Sequence, residues 1–278
     1  MGWIMSEFRL KKLIIKDICL LLLLCLLFTG CGKTSQEPLT AGNLAGRKVG
    51  VIIGYSSDYI LSKPEYGLDI YRYDYYADMT LALRFNRIDA IATEMDEAYV
   101  FCRMQPEFKI GLVAEEQLEY AYMFNADRPE LLEQFNQFIR DFKKTEEYAD
   151  MLRRVEASAD APFQAKKIEN TVTTDRVLKV AAFDGWEPIS YINAATGEWE
   201  GCDVELITYF ANSLGAELEL IDMSWEQMII ELSSGLVDLM LCPDSLMLAK
   251  DLEMSGNIVM SDWVFLKDIV LIVNKEEN

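Results

Sequence analysis

The sequence predicts an α/β protein of two similar lobes around a shared crevice, preceded by an export segment. Three observations predict it. Strand-length apolar runs alternate with helix-length amphipathic runs, one helix–turn–strand frame occurs twice, and a basic start leads into a leucine run that ends at a cysteine.

The first thirty residues read as an address. Arg9, Lys11, Lys12 and Lys16 make a positive start, and residues 18–28 are apolar without a break. That run is shorter than the roughly 20 residues a membrane-spanning helix needs, and it fits the apolar core of a signal peptide. It ends in Leu27-Phe28-Thr29-Gly30-Cys31, small residues directly before a cysteine. This resembles the bacterial lipobox, with Phe28 where leucine is commoner. The resemblance implies cleavage before Cys31 and lipidation of its sulfur, which would hold residues 31–43 as a polar tether on the extracytoplasmic face of the cell membrane. The alternative is a plain membrane anchor with an incidental cysteine.

The chain has 26 Lys and Arg, 46 Asp and Glu, and no histidine. Without residues 1–30 it keeps 22 basic and 44 acidic residues, a net charge near −22. A field of that sign argues against nucleic acid as a partner. The missing histidine excludes His-dependent nucleophilic catalysis and His-rich metal sites. Cys102, Cys202 and Cys242 are left after the signal and anchor, an odd set without metal spacing, so neither a disulfide framework nor a metal or cofactor site is expected.

Residues 48–53 are a short apolar strand, and Gly54-Tyr55-Ser56-Ser57-Asp58 is a turn whose hydroxyls open a helix. Strands at 68–73, 88–93 and 108–113 alternate with helical spacing at 77–85 and 97–104, a βαβ-type unit with a parallel sheet. Residues 118–124 form another strand. Charged amphipathic helices follow at 129–143 and 146–155, and the aperiodic polar segment 156–175 reads as a linker. A second alternating unit begins with a strand at 177–183 and a hairpin of 189–192 with 198–200. Helices at 204–214 and 225–232 then alternate with strands at 217–221, 237–241 and 268–274.

Residues 81–91 and 230–240 share one frame: a helix end, a turn, then Asp89 or Asp238 opening an apolar strand. Ligands of open parallel sheets sit beyond the strand C-termini. Glu94 and Cys242 fall at equivalent strand ends and are expected to face the crevice. The alternative is two generic βαβ units alike by chance.

Several segments resemble the amino-acid-type (family 3) periplasmic solute-binding proteins of ABC importers, which have a type II periplasmic-binding-protein fold with two α/β lobes and a hinge. Residues 180–191, with Trp186 and Pro188, look like that family's opening strand and its aromatic-x-Pro-aromatic turn. Gly201-Cys202-Asp203-Val204-Glu205-Leu206 looks like its Gly-Phe-Asp-x-Asp-Leu helix start, and residues 225–238 are similar to its helix–turn–strand. These belong to the family's first half, yet here they come last. Residues 44–54 and 88–94 resemble the second lobe and come first. The order implies a circular permutation, with the old termini joined through 156–175; the alternative is a tandem fusion that has lost a partner lobe at each end. The implied lobes are 44–116 and 117–157 plus 176–278, with one covalent crossing near 114–119.

The resemblance also implies a site. Trp186 matches the aromatic cover over the ligand, the alternative being a core tryptophan. Ser56 matches the hydroxyl at a helix start, with Ser57 beside it, and both also read as ordinary caps. Glu94 matches the acid that pairs with an amino group, with Asp96 as a weaker substitute; a solvated surface carboxylate is the alternative. Ser245 matches a first-lobe hydroxyl. Lys250 stands where the family has a carboxylate-binding arginine, and a lysine is a point charge rather than a two-pronged fork. Met247, Pro243 and Asp244 depart from the family pattern as well. Asp89, Asp203, Glu205 and Asp238 read as caps and turns. The implied function is extracytoplasmic capture of a small polar solute such as an amino acid for an ABC permease, without catalysis. The alternatives are a sensory or scaffold lipoprotein, and a dehydratase-like enzyme on the same fold with Glu94 as acid or base.

Overall fold

The computed structural model describes residues 39–246 and 257–275, without the side chains at 115–116 and 242–244. Cys31 and Lys250 lie outside the described residues, as do the signal segment and most of the tether. Among the described residues no helix is long and apolar enough to cross a membrane.

The strands are β1 (Lys48–Ile52), β2 (Asp69–Tyr73), β3 (Ala90–Glu94), β4 (Phe108–Asn125), β5 (Val177–Ala182), β6 (Tyr191–Ile192), β7 (Trp199–Glu200), β8 (Glu217–Asp222), β9 (Leu239–Ser245), β10 (Ile258–Met260) and β11 (Phe265–Asn274). The helices are α1 (Ser56–Leu61), α2 (Tyr76–Arg84), α3 (Met95–Met104), α4 (Pro129–Phe142), α5 (Glu146–Ala157), α6 (Cys202–Leu214) and α7 (Trp225–Ser233). One sheet runs in the order β2-β1-β3-β11-β4-β9-β5-β8, with β10 beside β4. The architecture is mixed α/β, built on this central sheet.

Two parallel trios flank the sheet's centre, β2-β1-β3 on one side and β9-β5-β8 on the other. The repeated sequence frame has a repeated structure. Asp89 Oδ2 accepts the Lys48 N–H at 2.8 Å, and Asp238 Oδ2 accepts the Lys179 N–H at 2.9 Å. Each aspartate thus ties the start of its strand to the neighbouring one. Both preceding helices end in the same C-terminal motif. Asn86 (φ 54°) and Gly235 (φ 75°) take the left-handed position, and the next N–H reaches back to Ala82 O (2.8 Å) or Glu231 O (3.0 Å).

The centre of the sheet departs from the sequence reading. The strands expected at 108–113 and 118–124 are one strand of 18 residues, β4. The polar stretch between them does not break it, because β11 pairs antiparallel along both parts, from Phe265 opposite Tyr120 to Asn274 opposite Phe108. β4 is therefore separated from the parallel trio by β11. β11 also pairs with β3, Ile269 opposite Glu94 through Ile272 opposite Ile91. The strand expected with residues 176–278 is thus hydrogen-bonded to both β3 and β4. β9 runs on to Ser245, so Cys242 lies inside a strand, while Glu94 does end β3.

Apolar burial joins helices to the sheet. Phe135 of α4 packs against Tyr122 (ring centroids 5.5 Å), Phe124 (5.1 Å) and Phe210 (5.0 Å), joining two helices to β4. Each such ring pair adds about 0.5–1.5 kcal/mol beyond its area burial. Residues 158–175 have no regular structure but form a tight strap. Arg154 reaches Glu205 with two nitrogens (2.7 and 2.6 Å), the Lys166 N–H also meets Glu205 (2.7 Å), and Asn170 binds Asn212 and the Ala216 carbonyl. Asp203 accepts the Tyr122 hydroxyl at 2.8 Å. Asp203 and Glu205 are thus tertiary anchors rather than mere caps.

Gly201 fixes how the 186–190 turn meets α6. Its φ of 131° is costly for any side chain, and a Cβ there would overlap the Ile189 carbonyl. The close approach lets Pro188 O and Ile189 O accept the first N–H groups of α6, from Cys202 (2.9 Å) and Asp203 (3.1 Å). Gly201→Ala is expected to cost about 2 kcal/mol, read as a lower urea midpoint. An unchanged midpoint would refute this account of the turn.

Candidate functional site

The β3–α3 junction concentrates acid. Glu94 ends the strand at the N-cap position of the helix without a side-chain cap bond, and Asp96 and Glu97 occupy the first turn, where the helix dipole favours negative charge. Glu94 and Asp96 are buried, 5% and 6% exposed. Burial on this scale requires partners, and distant segments supply them. Tyr120 of β4 donates its hydroxyl to Glu94 Oε1 at 2.8 Å, and Ser56 at the start of α1 lies near enough to act on that hydroxyl electrostatically. Glu97 accepts the Tyr76 hydroxyl (2.5 Å) and the Trp186 indole N–H (3.0 Å), and is also hydrogen-bonded to Thr93.

Lys267 of β11 completes the cluster. It is 6% exposed, and its Nζ lies 2.6 Å from Asp96 Oδ2. The same ammonium stands 4.8 Å from the centre of the Tyr120 ring and 5.5 Å from that of Trp186. Nζ, Asp96 Oδ1 and Ser57 Oγ are buried without a hydrogen-bond partner.

The electrostatics follow from burial. Glu94 is pushed up to about 8 by desolvation first and by the nearby Glu97 charge second, while Lys267 and the Tyr120 hydroxyl pull it down. Glu97 is raised by burial too, with Thr93 and Tyr76 opposing. Burial pulls the Lys267 ammonium down, but Asp96, Glu94 and Glu97 more than reverse this and hold it above its ordinary value. The site can hold a cation against carboxylates and aromatic faces, and it keeps a proton on Glu94 at neutral pH.

Of the residues singled out in the sequence, Trp186, Glu94 and Ser56 converge around Tyr120 and Glu97. Ser245 is the cross-strand partner of Tyr120 and is buried. Trp186 engages Glu97 through its indole edge. Ser57 is buried at the start of α1. Asp96, the weaker substitute, holds the ion pair. Tyr120, Lys267, Glu97 and Tyr76 were missed. One signal could have found Lys267: it falls between Phe265 and Ile269 on the inward face of an alternating strand, where a charge needs a buried partner. Two open depressions, of about 510 and 420 Å³, lie elsewhere, along the strap by Phe163 and Arg154.

No curated protein matches the sequence. Solved structures similar to the chain include three solute-binding proteins. The zinc-bound ligand-binding component of an ABC-type import system from Staphylococcus aureus has a TM-score of 0.44 at 12% identity, over 83% of this chain and 66% of that one. The probable amino-acid ABC transporter extracellular-binding protein of Bacillus subtilis has a TM-score of 0.42 at 10% identity, over 84% and 86%. The unliganded, open L-cystine solute receptor of Neisseria gonorrhoeae has a TM-score of 0.40 at 14% identity, over 84% and 82%. Residues 178–246, which run from β5 to the end of β9 and carry both Trp186 and Ser245, match the family model of the bacterial extracellular solute-binding proteins, family 3.

Proposed function

We propose that this chain is an extracytoplasmic lipoprotein, anchored through Cys31, that captures a small polar solute at the Trp186–Glu94 cluster and delivers it to an ABC permease. The observation that carries the reading is the convergence of Trp186, Glu94, Ser56 and Ser245, from four separate chain segments, on the single hydroxyphenyl group of Tyr120 or its immediate neighbours. The match of residues 178–246 to a solute-binding family supports it. We further propose that the halves are the permuted lobes 44–116 and 117–157 plus 176–278, with the end of β11 now counted with the first of these.

The test is thermal shift and calorimetry on the mature protein across amino acids, related acids and neutral polar solutes. At least one solute is expected to raise the midpoint, and Trp186→Ala is expected to weaken its binding about tenfold, the loss typical of an aromatic contact residue. No response to any solute, or one that survives Trp186→Ala unchanged, sinks the proposal.

A further inference from the structure

We propose that the Lys267 side chain occupies the cation position of this site as a tethered ligand, so that the cluster excludes solutes bearing a free ammonium and takes neutral polar ones instead. The inference rests on reading the Glu94–Trp186 cluster as the solute site.

The surroundings of Nζ are those that recognition sites offer an amine: a carboxylate at 2.6 Å and two aromatic rings within 6 Å. Here the amine belongs to the chain itself. Every acid in the cluster already has an internal donor or cation. Asp96 faces Lys267, Glu94 takes the Tyr120 hydroxyl, and Glu97 takes Tyr76 and Trp186. An incoming ammonium finds no free carboxylate. To enter, it must displace a covalently attached competitor, whose effective concentration does not fall on dilution. A second observation points to a ligand of another kind. Nζ and Asp96 Oδ1 are buried and without hydrogen bonds, an adjacent donor and acceptor. A solute hydroxyl or carboxamide satisfies both without adding charge.

The test removes the tether and supplies the amine from outside. In Lys267→Ala, n-butylammonium is expected to raise the melting midpoint by about 4 °C at ten times its dissociation constant. n-Butanol and sodium chloride at matched concentration are expected to leave it unchanged, and wild type to shift by less than about 1 °C. Should Lys267→Ala fail to fold alone, recovery of a cooperative transition in n-butylammonium is the same positive result. The double variant Lys267→Ala/Asp96→Asn, which has no orphaned charge, is expected to lose the response at least tenfold. No amine effect on Lys267→Ala, an equal effect on wild type, or a response retained in the double variant each overturn the inference. A wild type that ignores every solute overturns the capture reading instead, because the amine experiment does not depend on it.

Discussion

Lys267→Met lowers folding stability by about 3–5 kcal/mol, the usual cost of removing one partner from a buried ion pair. The charge it strands is Asp96, 6% exposed and with one oxygen already lacking a hydrogen bond. The loss does not stop there. Lys267 also pulls the titration of Glu94 and Glu97 down, so both carboxyls are harder to ionise when it goes. Methionine fills most of the volume, so the cost is electrostatic rather than a cavity. Lys267→Met/Asp96→Asn is therefore expected to recover most of the stability, since replacing both partners removes the uncompensated charge. Urea denaturation of wild type, single and double variants measures this. A single variant within about 1 kcal/mol of wild type would mean that Asp96 reaches solvent and that the pair is not structural.

The second large effect is on pH. The empty protein is expected to lose stability as pH rises from about 5 to 8. Glu94 titrates near 8 when folded, against an ordinary value of 4.5. In that window the folded chain keeps a proton that the unfolded chain has lost, so each added unit of pH favours unfolding by up to about 1.4 kcal/mol per such group. The contribution is complete below 4.5 and gone once pH has passed about 8. Glu97 is raised in the same direction and steepens the fall. Lys267, also raised, contributes fully throughout this window and begins to lose its contribution only in alkali. The exposed carboxylates Glu107, lowered first by a backbone hydrogen bond and then by Arg84, and Asp141 and Asp150, lowered by Lys144 and Arg154, act in acid, where their contribution is lost as pH falls. Glu94→Gln keeps the shape and still accepts from Tyr120, so it is expected to flatten the slope and to exceed wild type in stability at pH 8. Thermal melts at pH 5, 6.5 and 8 decide this. A rising or flat wild-type profile, unchanged by Glu94→Gln, contradicts the burial account of Glu94.

Elements whose signals are local were legible in the residues. α4 and α5 show in their charged amphipathic periods. β1 and β5 show as apolar runs, and the α2–β3 and α7–β9 frames show in a turn followed by aspartate. Asp89 and Asp238 were readable because their bonds lie within that frame. Two members of the candidate cluster were also picked out, Trp186 in a loop and Glu94 at a strand end, positions from which side chains of separate segments can meet.

The amino-acid order by itself determined the alternation of strand and helix, the twofold frame and the acidic balance, because periodicity, capping and turn chemistry act over a few residues. Only the tertiary structure decided that residues 108–125 form one strand, that β11 lies between β3 and β4, and that Lys267 answers Asp96 beneath Trp186 and Tyr120. Those outcomes depend on which strand lies beside which and on which charges are buried together. They are set by pairings between residues more than a hundred positions apart, about which the neighbours of Lys267 in sequence carry no information.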